Sequence, residues 1–323
     1  MLYLLYTILL FLVTYGYYKY ALASKILDNP NHRSSHTTPT VRGGGVVFFV
    51  AVLLYFVYQF NIAYPYFLSG FILLSVLGFI DDKKALSAKV RFPFQLLAVG
   101  LILYEAGLFS SGLPLWVPFI GFIVAVGFIN AFNFMDGING ITGFYTLAIV
   151  LPLLWVNSQY PVFDHQFFYF ILLAIGVFGF FNFRRQALMF AGDIGSMSLA
   201  AVLLFWLSKM MIDLKSPILL AFVVVYGVDS ALTILNRLKH RENIFEAHRW
   251  HLYQKFGDLW HWQHLKTAFV YMIIQLLISA LIIKYIAVDI NKQLIILIAV
   301  YVLVSAIYVL FYKYFDRFQK RKM

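Results

Sequence analysis

Long apolar stretches recur along the whole chain and are separated by short polar segments. A helix needs about 17–25 apolar residues to cross the hydrocarbon core of a bilayer, and the stretches are close to that length. The first stretch is interpreted as a retained helix, because no positive charge precedes it as in a signal peptide. The pattern predicts an all-α polytopic membrane protein with about eleven transmembrane helices, at residues 2–20, 44–58, 65–80, 92–106, 115–129, 141–156, 167–181, 197–211, 217–235, 267–286 and 294–312.

The composition narrows the class of protein further. Hydrophobic residues make up 62% of the 323 positions and charged residues only 12%. A soluble domain has about 45–50% apolar and about 25% charged residues. A soluble globular enzyme, a disordered chain and a free nucleic-acid binder are therefore excluded. The chain has no cysteine, so it has no disulfide framework, no thiolate nucleophile and no zinc site built on cysteine.

The distribution of positive charge predicts the orientation of the helices. If the N-terminus is outside, all but four of the 25 Lys and Arg residues fall on the inside, and the four are Lys209, Lys215, Lys284 and Lys292. Because cytoplasmic loops are rich in Lys and Arg, we expect an outside N-terminus and a cytoplasmic C-terminus. The net charge of +11 is then explained without a nucleic-acid partner.

The acidic residues indicate where chemistry can occur. A charge at the centre of a membrane helix costs about 2.5–3.5 kcal/mol, and most of the 14 Asp and Glu residues lie on predicted inside loops or helix ends. We expect a single domain over residues 1–323, with cytoplasmic catalytic loops near 24–43, 81–91, 130–140, 182–196 and 236–266. A transporter would place its ionisable groups nearer the midplane. Asp229, inside the ninth span, is the exception.

Two adjacent carboxylates, Asp81 and Asp82, follow the third apolar stretch. They repel one another unless a cation or a proton lies between them. This arrangement fits Mg²⁺ coordination, or a general base that acts on a phosphate. A solvated turn at a helix end is the alternative, since the two lysines that follow are ordinary there.

A group of amide side chains follows the fifth stretch. Asn130 and Asn133 share a helix face with Asp136 if the helix continues that far. The pairs Asp136-Gly137 and Asn139-Gly140 are turn dipeptides that bring backbone N–H groups close to a ligand. We interpret this segment as a nucleotide or phosphate pocket, and an ordinary Asn- and Gly-rich loop is the alternative.

Three more segments carry polar groups on the same side. Residues 192–196, Gly-Asp-Ile-Gly-Ser, place the Asp193 carboxylate beside free N–H groups at a helix start, a suitable place for a metal and a phosphate, unless Asp193 or Ser196 simply caps the helix. His248, Arg249 and His251 are able to hold a diphosphate, or they belong to an interfacial amphipathic segment. The basic loop at 32–45 is either a phosphate-binding loop or a flexible connector.

Taken in order, the five segments resemble the polyprenyl-phosphate N-acetylhexosamine-1-phosphate transferases, glycosyltransferase family 4, in their WecA- and WbpL-like branch. The family's Asp-Asp pair matches residues 81–82, and a further family segment matches residues 86–92. Its Asn-x-x-Asn-x-x-Asp-Gly motif matches residues 130–137, and its Gly-Asp-x-Gly-Ser motif matches 192–196. The chain departs from the family twice: Asn139 replaces a second Asp, and the stretch from Asn182 to Asp193 is one residue longer than usual.

The resemblance implies a transferase that moves N-acetylhexosamine-1-phosphate from a UDP-sugar to polyprenyl (undecaprenyl) phosphate and releases UMP. It implies Mg²⁺, with Mn²⁺ as a substitute, held by Asp193. Asp81 would take the proton of the lipid phosphate or position that phosphate, and Asp82 would support it. Asp136 completes the four catalytic carboxylates. The implied substrate-binding residues, with Phe190 stacked on uracil, are Asn130, Asn133, Asn139, Asn182, Phe190, Arg91, His248, Arg249 and His251.

The implied location is the bacterial inner membrane, where a multi-pass protein with a cytoplasmic active site would initiate a lipid-linked surface polysaccharide such as the O-antigen of lipopolysaccharide. Three alternatives stay open: a transporter or flippase of lipid-linked sugars, an inactive scaffold, and the same reaction with UDP-MurNAc-pentapeptide. The form His-Arg-x-His, instead of three consecutive histidines, favours UDP-GlcNAc or a 6-deoxy-N-acetylhexosamine donor. The pathway, a direct or two-step mechanism, and the oligomeric state also stay open, with a homodimer as one option.

Overall fold

The computed structural model describes residues 2–30, 36–242 and 249–322, with side chains described as far as Arg317. Within these ranges two short 3₁₀-helices, Leu108–Ser110 and Pro217–Val223, accompany the α-helices. Strands β1 (Leu27–Asp28) and β2 (Thr40–Val41) form a small antiparallel ladder that was not predicted. The α-helices are α1 (Leu2–Ala23), α2 (Val46–Gln59), α3 (Pro65–Lys83), α4 (Ala88–Glu105), α5 (Trp116–Phe134), α6 (Ile141–Gln159), α7 (His165–Asn182), α8 (Gly192–Asp213), α9 (Val224–Lys239), α10 (Leu252–Trp260), α11 (His264–Ile283) and α12 (Ile290–Lys322).

The expected all-α, multi-pass membrane architecture is confirmed, with fewer clear spans than predicted. Nine helical segments of the described chain are long and apolar enough to cross a membrane. Each of the predicted stretches coincides with a helix, but two of those helices are not among the nine. Helix α2 is only 14 residues long, and α4 carries Lys89, Arg91 and Glu105 near its ends.

Helix α8 lies at the centre of the bundle and is buried along almost its whole length. Its first half is rich in Gly, Ser and Ala, which lets neighbouring helices approach closely. Gly45, just before α2, packs on the backbone of Gly195, and Gly78 of α3 packs on the backbone of Asp193. A Cβ atom at Gly45 or Gly78 would overlap these backbone atoms. The starts of α2 and α8 and the end of α3 are therefore held together.

The chain enters α9 through the 3₁₀ segment Pro217–Val223, and Gln275 of α11 satisfies the interrupted backbone. The Gln275 side chain donates to the carbonyl of Ala221 at 2.9 Å and accepts the N–H of Val225 at 3.1 Å. Non-helical backbone is tolerated at membrane depth where the protein supplies such partners. The start of α9, the helix that carries Asp229, is thus tied to α11.

Helix α12 has 33 residues, which corresponds to about 50 Å at 1.5 Å per residue. The hydrocarbon core is about 30 Å thick, so α12 is long enough to extend past it. Phe315 packs edge-on against Phe256 and Trp260 of α10, with ring centroids 5.3 and 5.0 Å apart. Lys255 of α10 also pairs with Asp316 at 3.2 Å. The last described turns of α12 therefore support α10.

Candidate active site

The predicted site residues lie at helix ends on one side of the bundle. Consecutive spanning helices run in opposite directions, so the ends of α3, α5 and α7 fall on the same side as the starts of α4, α6 and α8. Contacts between the loops at these ends bring together segments that are far apart in the sequence.

Asp82 lies at the start of α8, where its buried carboxylate caps the helix. Its two oxygens accept the N–H groups of Asp193 at 2.8 Å and Ile194 at 3.1 Å. The same carboxylate pairs with Nε of Arg42 at 2.7 Å, and its side chain is 0% exposed. Gly192 has φ +71°, and a side chain there would overlap Asp82, so glycine fits this position. Two of the N–H groups expected to be free at this helix start are therefore occupied.

Asp81 and Asp193 share the charge of Arg91. Nη1 of Arg91 lies 2.7 Å from Asp81 and 3.6 Å from Asp193, and Nη2 of Arg42 lies 3.1 Å from Asp193. Asp81, Asp82, Asp193, Arg42 and Arg91 are called the carboxylate cluster below. With three carboxylates and two guanidinium groups, the cluster has one more negative than positive charge when all are ionised. Such a cluster favours a further cation close to it.

Arg42 had no role assigned from the sequence, although it stands in the basic loop at 32–45, directly before three glycines. Burial alone would lower the pKa of Arg42, but Asp193 and Asp82 outweigh it and raise the pKa, so the guanidinium stays charged. The N–H of Phe190 donates to the carbonyl of Val41 at 2.8 Å, which fixes the strand that precedes Arg42. Residues 32–35 of this loop lie outside the described residues.

Asn130, Asn133 and Asp136 are all partly exposed beside the carboxylate cluster. Helix α5 ends before Asp136, so the two asparagines lie on its last turns and Asp136 follows in the turn. Asn133 accepts the hydroxyl of Ser196 at 2.6 Å, which ties α5 to the start of α8. Asp136 accepts the hydroxyl of Thr142. Burial raises the pKa of Asp136 to about 6, although the bond from Thr142 acts in the opposite direction.

Asn139 and Asn182 are buried and bonded to backbone in this structure. Asn139 donates to two carbonyls of the segment between α7 and α8, at 3.0 and 3.1 Å. Asn182 accepts the N–H of Gly140 at 2.7 Å and donates to the carbonyl of Met189 at 2.8 Å. These bonds hold the loop before α6 against the loop before α8. A direct contact of either amide with substrate stays a prediction.

Phe190 is partly exposed, and its ring lies edge-on to that of His36, with centroids 4.9 Å apart. Arg249 pairs with Asp258 of α10, with Nη2 and Oδ1 2.6 Å apart. His248 lies outside the described residues. The expected stacking of Phe190 on uracil and the expected contact of Arg249 with a diphosphate stay predictions.

His251 is buried and faces Asp229, the acidic residue that was set apart as an exception in the sequence. Nδ1 of His251 lies 3.1 Å from Oδ1 of Asp229. Asp229 also accepts the N–H of Leu252 at 3.2 Å and the hydroxyl of Tyr271 at 2.7 Å. Asp229, His251, Leu252 and Tyr271 are called the histidine cluster below. These bonds join α9 to the start of α10 and to α11.

A metal ion has suitable donors in the carboxylate cluster. Among residues 2–30, 36–242 and 249–317, no three His, Asp or Glu side chains are grouped as a ready metal site. Mg²⁺ commonly binds one or two carboxylates together with substrate phosphates and water. The Asp193 and Asp81 carboxylates, which lie 3.6 and 2.7 Å from the same Arg91 nitrogen, match that requirement. The donor set therefore fits Mg²⁺ bound together with a phosphate.

Comparisons with known proteins bear on the class of protein to which the chain is similar. Residues 64–212, which include Asp81, Asp136 and Asp193, match the model of glycosyl transferase family 4. The phospho-N-acetylmuramoyl-pentapeptide-transferase of Streptococcus equi subsp. equi is 28% identical over 250 residues, 64% of this chain and 69% of that protein. A Streptococcus suis protein of the same name is 27% identical over 274 residues, 72% of this chain and 79% of that protein. The probable undecaprenyl-phosphate N-acetylglucosaminyl 1-phosphate transferase of Bacillus subtilis is 25% identical over 253 residues, 71% of this chain and 69% of that protein.

The chain is a multi-pass membrane protein, and residues 64–212 carry its similarity to glycosyl transferase family 4. The resemblance stated from the sequence motifs is thereby confirmed at the level of the family. The relatives include both pentapeptide and N-acetylglucosaminyl transferases by name, so they do not single out the WecA- and WbpL-like branch.

Proposed function

We propose that the protein transfers an N-acetylhexosamine-1-phosphate from a UDP-sugar to polyprenyl phosphate and releases UMP. The observation that carries the proposal is the carboxylate cluster, in which groups from four separate segments meet beside Asn130, Asn133 and Asp136. Two anionic substrates must approach one another in this reaction. The guanidinium groups, together with a cation held by the carboxylates beside them, are suited to neutralise and align these substrates.

In the proposed reaction an oxygen of the lipid phosphate attacks the sugar-linked phosphorus of the donor. The bond from that phosphorus to the bridging oxygen of UMP breaks, and UMP leaves with the electron pair. Asp81 takes the proton of the attacking phosphate if one is present, or positions that phosphate. Asp82 acts indirectly, because its buried carboxylate holds both the start of α8 and Arg42.

Arg42 and Arg91 balance the charge of the phosphates, since both guanidinium groups are already held at the site by carboxylates. Asp193 would hold Mg²⁺, which when bound would supply charge neutralisation on the diphosphate. Asn130 and Asn133 orient the nucleotide, and Arg249 and His251 bind the diphosphate and sugar side.

The proposed site faces the cytoplasm. This assignment is supported by the excess of Lys and Arg in the loops on the same side as the carboxylate cluster. The lipid acceptor would enter sideways from the bilayer, whereas the nucleotide would arrive from water. The proposed location is the bacterial inner membrane, and the proposed product starts a lipid-linked surface polysaccharide.

The identity of the donor is the open part of the proposal. The relatives point to two donors, because their names include a phospho-N-acetylmuramoyl-pentapeptide transferase and an N-acetylglucosaminyl 1-phosphate transferase. The motif at 248–251 lacks three consecutive histidines, so we favour a UDP-N-acetylhexosamine without a peptide. A panel of UDP-sugars that includes UDP-MurNAc-pentapeptide separates these donors.

The test is to purify the protein in detergent and supply polyprenyl phosphate, Mg²⁺ and each UDP-sugar in turn. We expect mass spectrometry to detect one polyprenyl-diphospho-sugar together with an equal amount of UMP. Asp193→Asn is expected to lower the rate at least about a hundredfold, because it removes a charge at the reacting phosphates. Asp213→Asn is the matched control on the opposite end of α8, where Asp213 pairs with Lys209.

Absence of both products with every donor would contradict the proposal. Movement of a lipid-linked sugar across proteoliposomes without UMP release would support the transporter alternative. An Asp193→Asn variant that releases UMP at the parent rate would remove Asp193 from the mechanism.

A further inference from the structure

The hydroxyl of Tyr253 is buried and has no hydrogen-bond partner within the described part of the chain. Tyr253 belongs to the first turn of α10 and is only 1% exposed. Buried hydroxyl groups nearly always have a partner, and an exception in a native structure calls for an explanation. The hydroxyl of Tyr271 in the histidine cluster donates to Asp229. The hydroxyl of Tyr253, by contrast, makes no hydrogen bond that would stabilise the described fold.

The hydroxyl is directed at the candidate active site. It lies against Gly137, the residue after Asp136, and a Cβ atom at Gly137 would overlap the Tyr253 hydroxyl. Gly137 is therefore the position that allows the phenol end of Tyr253 to reach this loop. The contact also joins the segment 249–254, which contains Arg249 and His251, to the loop that follows α5.

The ring of Tyr253 is held in place by the histidine cluster. It stacks on the ring of His251, with centroids 5.6 Å apart and planes at 19°. It also meets the ring of Tyr271 edge-on at 6.3 Å. Since both neighbours are themselves bonded to Asp229, the hydroxyl is presented to the loop at Asp136 in a fixed position.

The two groups at this point have complementary chemistry. The Asp136 carboxylate is an acceptor when ionised, and the Tyr253 hydroxyl is a donor. Burial, with the negative charges of Asp229 and Asp136, raises the pKa of Tyr253, so its proton is retained. A hydroxyl group of a ligand can donate to the carboxylate and accept from the phenol at the same time. A phosphate would be repelled by Asp136 and is better placed near Arg42 and Arg91.

We propose that Tyr253 is a further substrate-contacting residue, which together with Asp136 binds a hydroxyl group of the nucleotide sugar. This proposal rests on the proposed function, because that function is the reason to expect a nucleotide sugar as the ligand. The hydroxyl group belongs either to the ribose or to the hexosamine, and these two sources share the same chemistry. If the hydroxyl belongs to the hexosamine, Tyr253 also takes part in the choice of donor.

Tyr253→Phe tests the proposal, because it removes the hydroxyl and leaves the ring with its contacts to His251 and Tyr271. We expect KM for the UDP-sugar to rise about tenfold, the usual effect of one lost hydrogen bond to a ligand, with little change in kcat. The thermal unfolding temperature should stay equal or rise, because a buried hydroxyl without a protein partner is lost. Tyr301→Phe is the matched control, since its hydroxyl donates to the carbonyl of Leu220, away from the site.

Binding measured by calorimetry distinguishes the two sources and does not need turnover. UMP carries only the ribose, whereas the UDP-sugar carries both rings. Weaker binding of both ligands by Tyr253→Phe assigns the hydroxyl to the ribose, and weaker binding of the UDP-sugar alone assigns it to the hexosamine.

Equal affinity of the parent and of Tyr253→Phe for both ligands, with unchanged KM, would overturn the inference. A parent protein that binds UDP-sugars but transfers nothing would instead contradict the proposed function and leave the binding result on Tyr253 valid. The two failures are therefore distinguishable.

Discussion

Asp82 and Asp229 are two buried carboxylates with the same structural task in different clusters. Each accepts backbone N–H groups at the start of another helix: Asp82 at α8, and Asp229 at α10. Each also holds a cationic or basic side chain of the candidate site, which is Arg42 in the first case and His251 in the second. Both carboxylates thus connect a membrane helix to a segment that carries reactive groups.

The clusters differ in their charge. Asp82 lies among two further carboxylates and two arginines, so the carboxylate cluster is dense in ionisable groups. Asp229 is bonded to a histidine, the hydroxyls of Tyr271 and Thr233, and one backbone N–H group. The first environment suits the neutralisation of phosphates, and the second suits the orientation of a hydrogen-bonding side chain. A buried carboxylate in this fold therefore does not by itself mark a reacting group.

The largest loss of transfer activity is expected within the carboxylate cluster. Asp81→Asn and Asp82→Asn should lose activity for different reasons. Asp81→Asn is expected to lower kcat about 10²–10⁴-fold, the range for loss of a positioned base, with an unfolding temperature near that of the parent. Asp82→Asn should lower both kcat and the unfolding temperature. An amide cannot accept the two N–H groups of α8 and also form an ion pair with Arg42. The loss of stability should be about 1–3 kcal/mol.

The two variants are compared by the rate of lipid product formation and by thermal unfolding in the same detergent. Equal losses of stability in both variants, or a fully active Asp82→Asn, would show that the adjacent residues do not divide their tasks in this way.

Asp229→Asn tests the histidine cluster and should have a smaller effect. The amide still accepts the N–H of Leu252 but no longer pairs with His251 as an anion. We expect kcat/KM to fall about tenfold to a hundredfold, corresponding to loss of a charge-assisted hydrogen bond. Asp316→Asn is the control, because Asp316 also supports α10, through Lys255, but is largely exposed and should contribute little.

If Asp229→Asn leaves UMP release unchanged and instead blocks movement of a lipid-linked sugar across proteoliposomes, the orienting role is wrong and the transporter alternative gains support. Kinetics and transport are measured on the same reconstituted protein.

The smallest effect is expected for the stability of Asp136→Asn. The Asp136 carboxylate accepts a hydroxyl group, whereas the carboxylates of the cluster pair with guanidinium groups. Burial raises its pKa to about 6, so the folded protein disfavours the ionised form. The stability contributed by its protonated form is present below about pH 4 and is lost as the pH rises through about 6. Asp136→Asn should therefore match the parent at pH 4 and be more stable above pH 6, by about 1–2 kcal/mol.

Thermal unfolding of the substrate-free protein across this pH range measures the difference. A parent that is more stable than Asp136→Asn at pH 8 would show that Asp136 has a stabilising cationic partner, as the members of the carboxylate cluster do.

Much of the fold could be predicted from the sequence, because membrane helices are specified by local length and hydropathy. The correspondence was weakest at α2 and α4, which are helices but not clear spans, since α2 is short and α4 has charges near its ends. The ladder of β1 and β2 could not be found, because two-residue strands carry no periodic pattern. Both strands lie in the loop before α2. Val41 of β2 also forms a bridge to Met189, in the segment before α8.

The candidate residues could be named from the sequence, but their individual tasks could not. Asp81 and Asp82 are neighbours with the same chemistry, and only the position of α8 separates the helix cap from the more accessible carboxylate. Arg42 was indicated by its basic, glycine-ended loop, whereas nothing in the sequence placed Tyr253 against Gly137. Asn139 and Asn182 have ordinary polar patterns, and their bonds to distant backbone depend on how two loops approach.

The sequence by itself determined a multi-pass helical protein with its polar motifs on one side, because hydropathy and charge act locally along the chain. Only the tertiary structure decided which carboxylate caps α8, which one orients His251 and where the Tyr253 hydroxyl is aimed. The physical reason is that hydrogen bonds and ion pairs extend only about 3 Å. Such contacts depend on close helix approaches, as at Gly45 and Gly78, that no local pattern encodes.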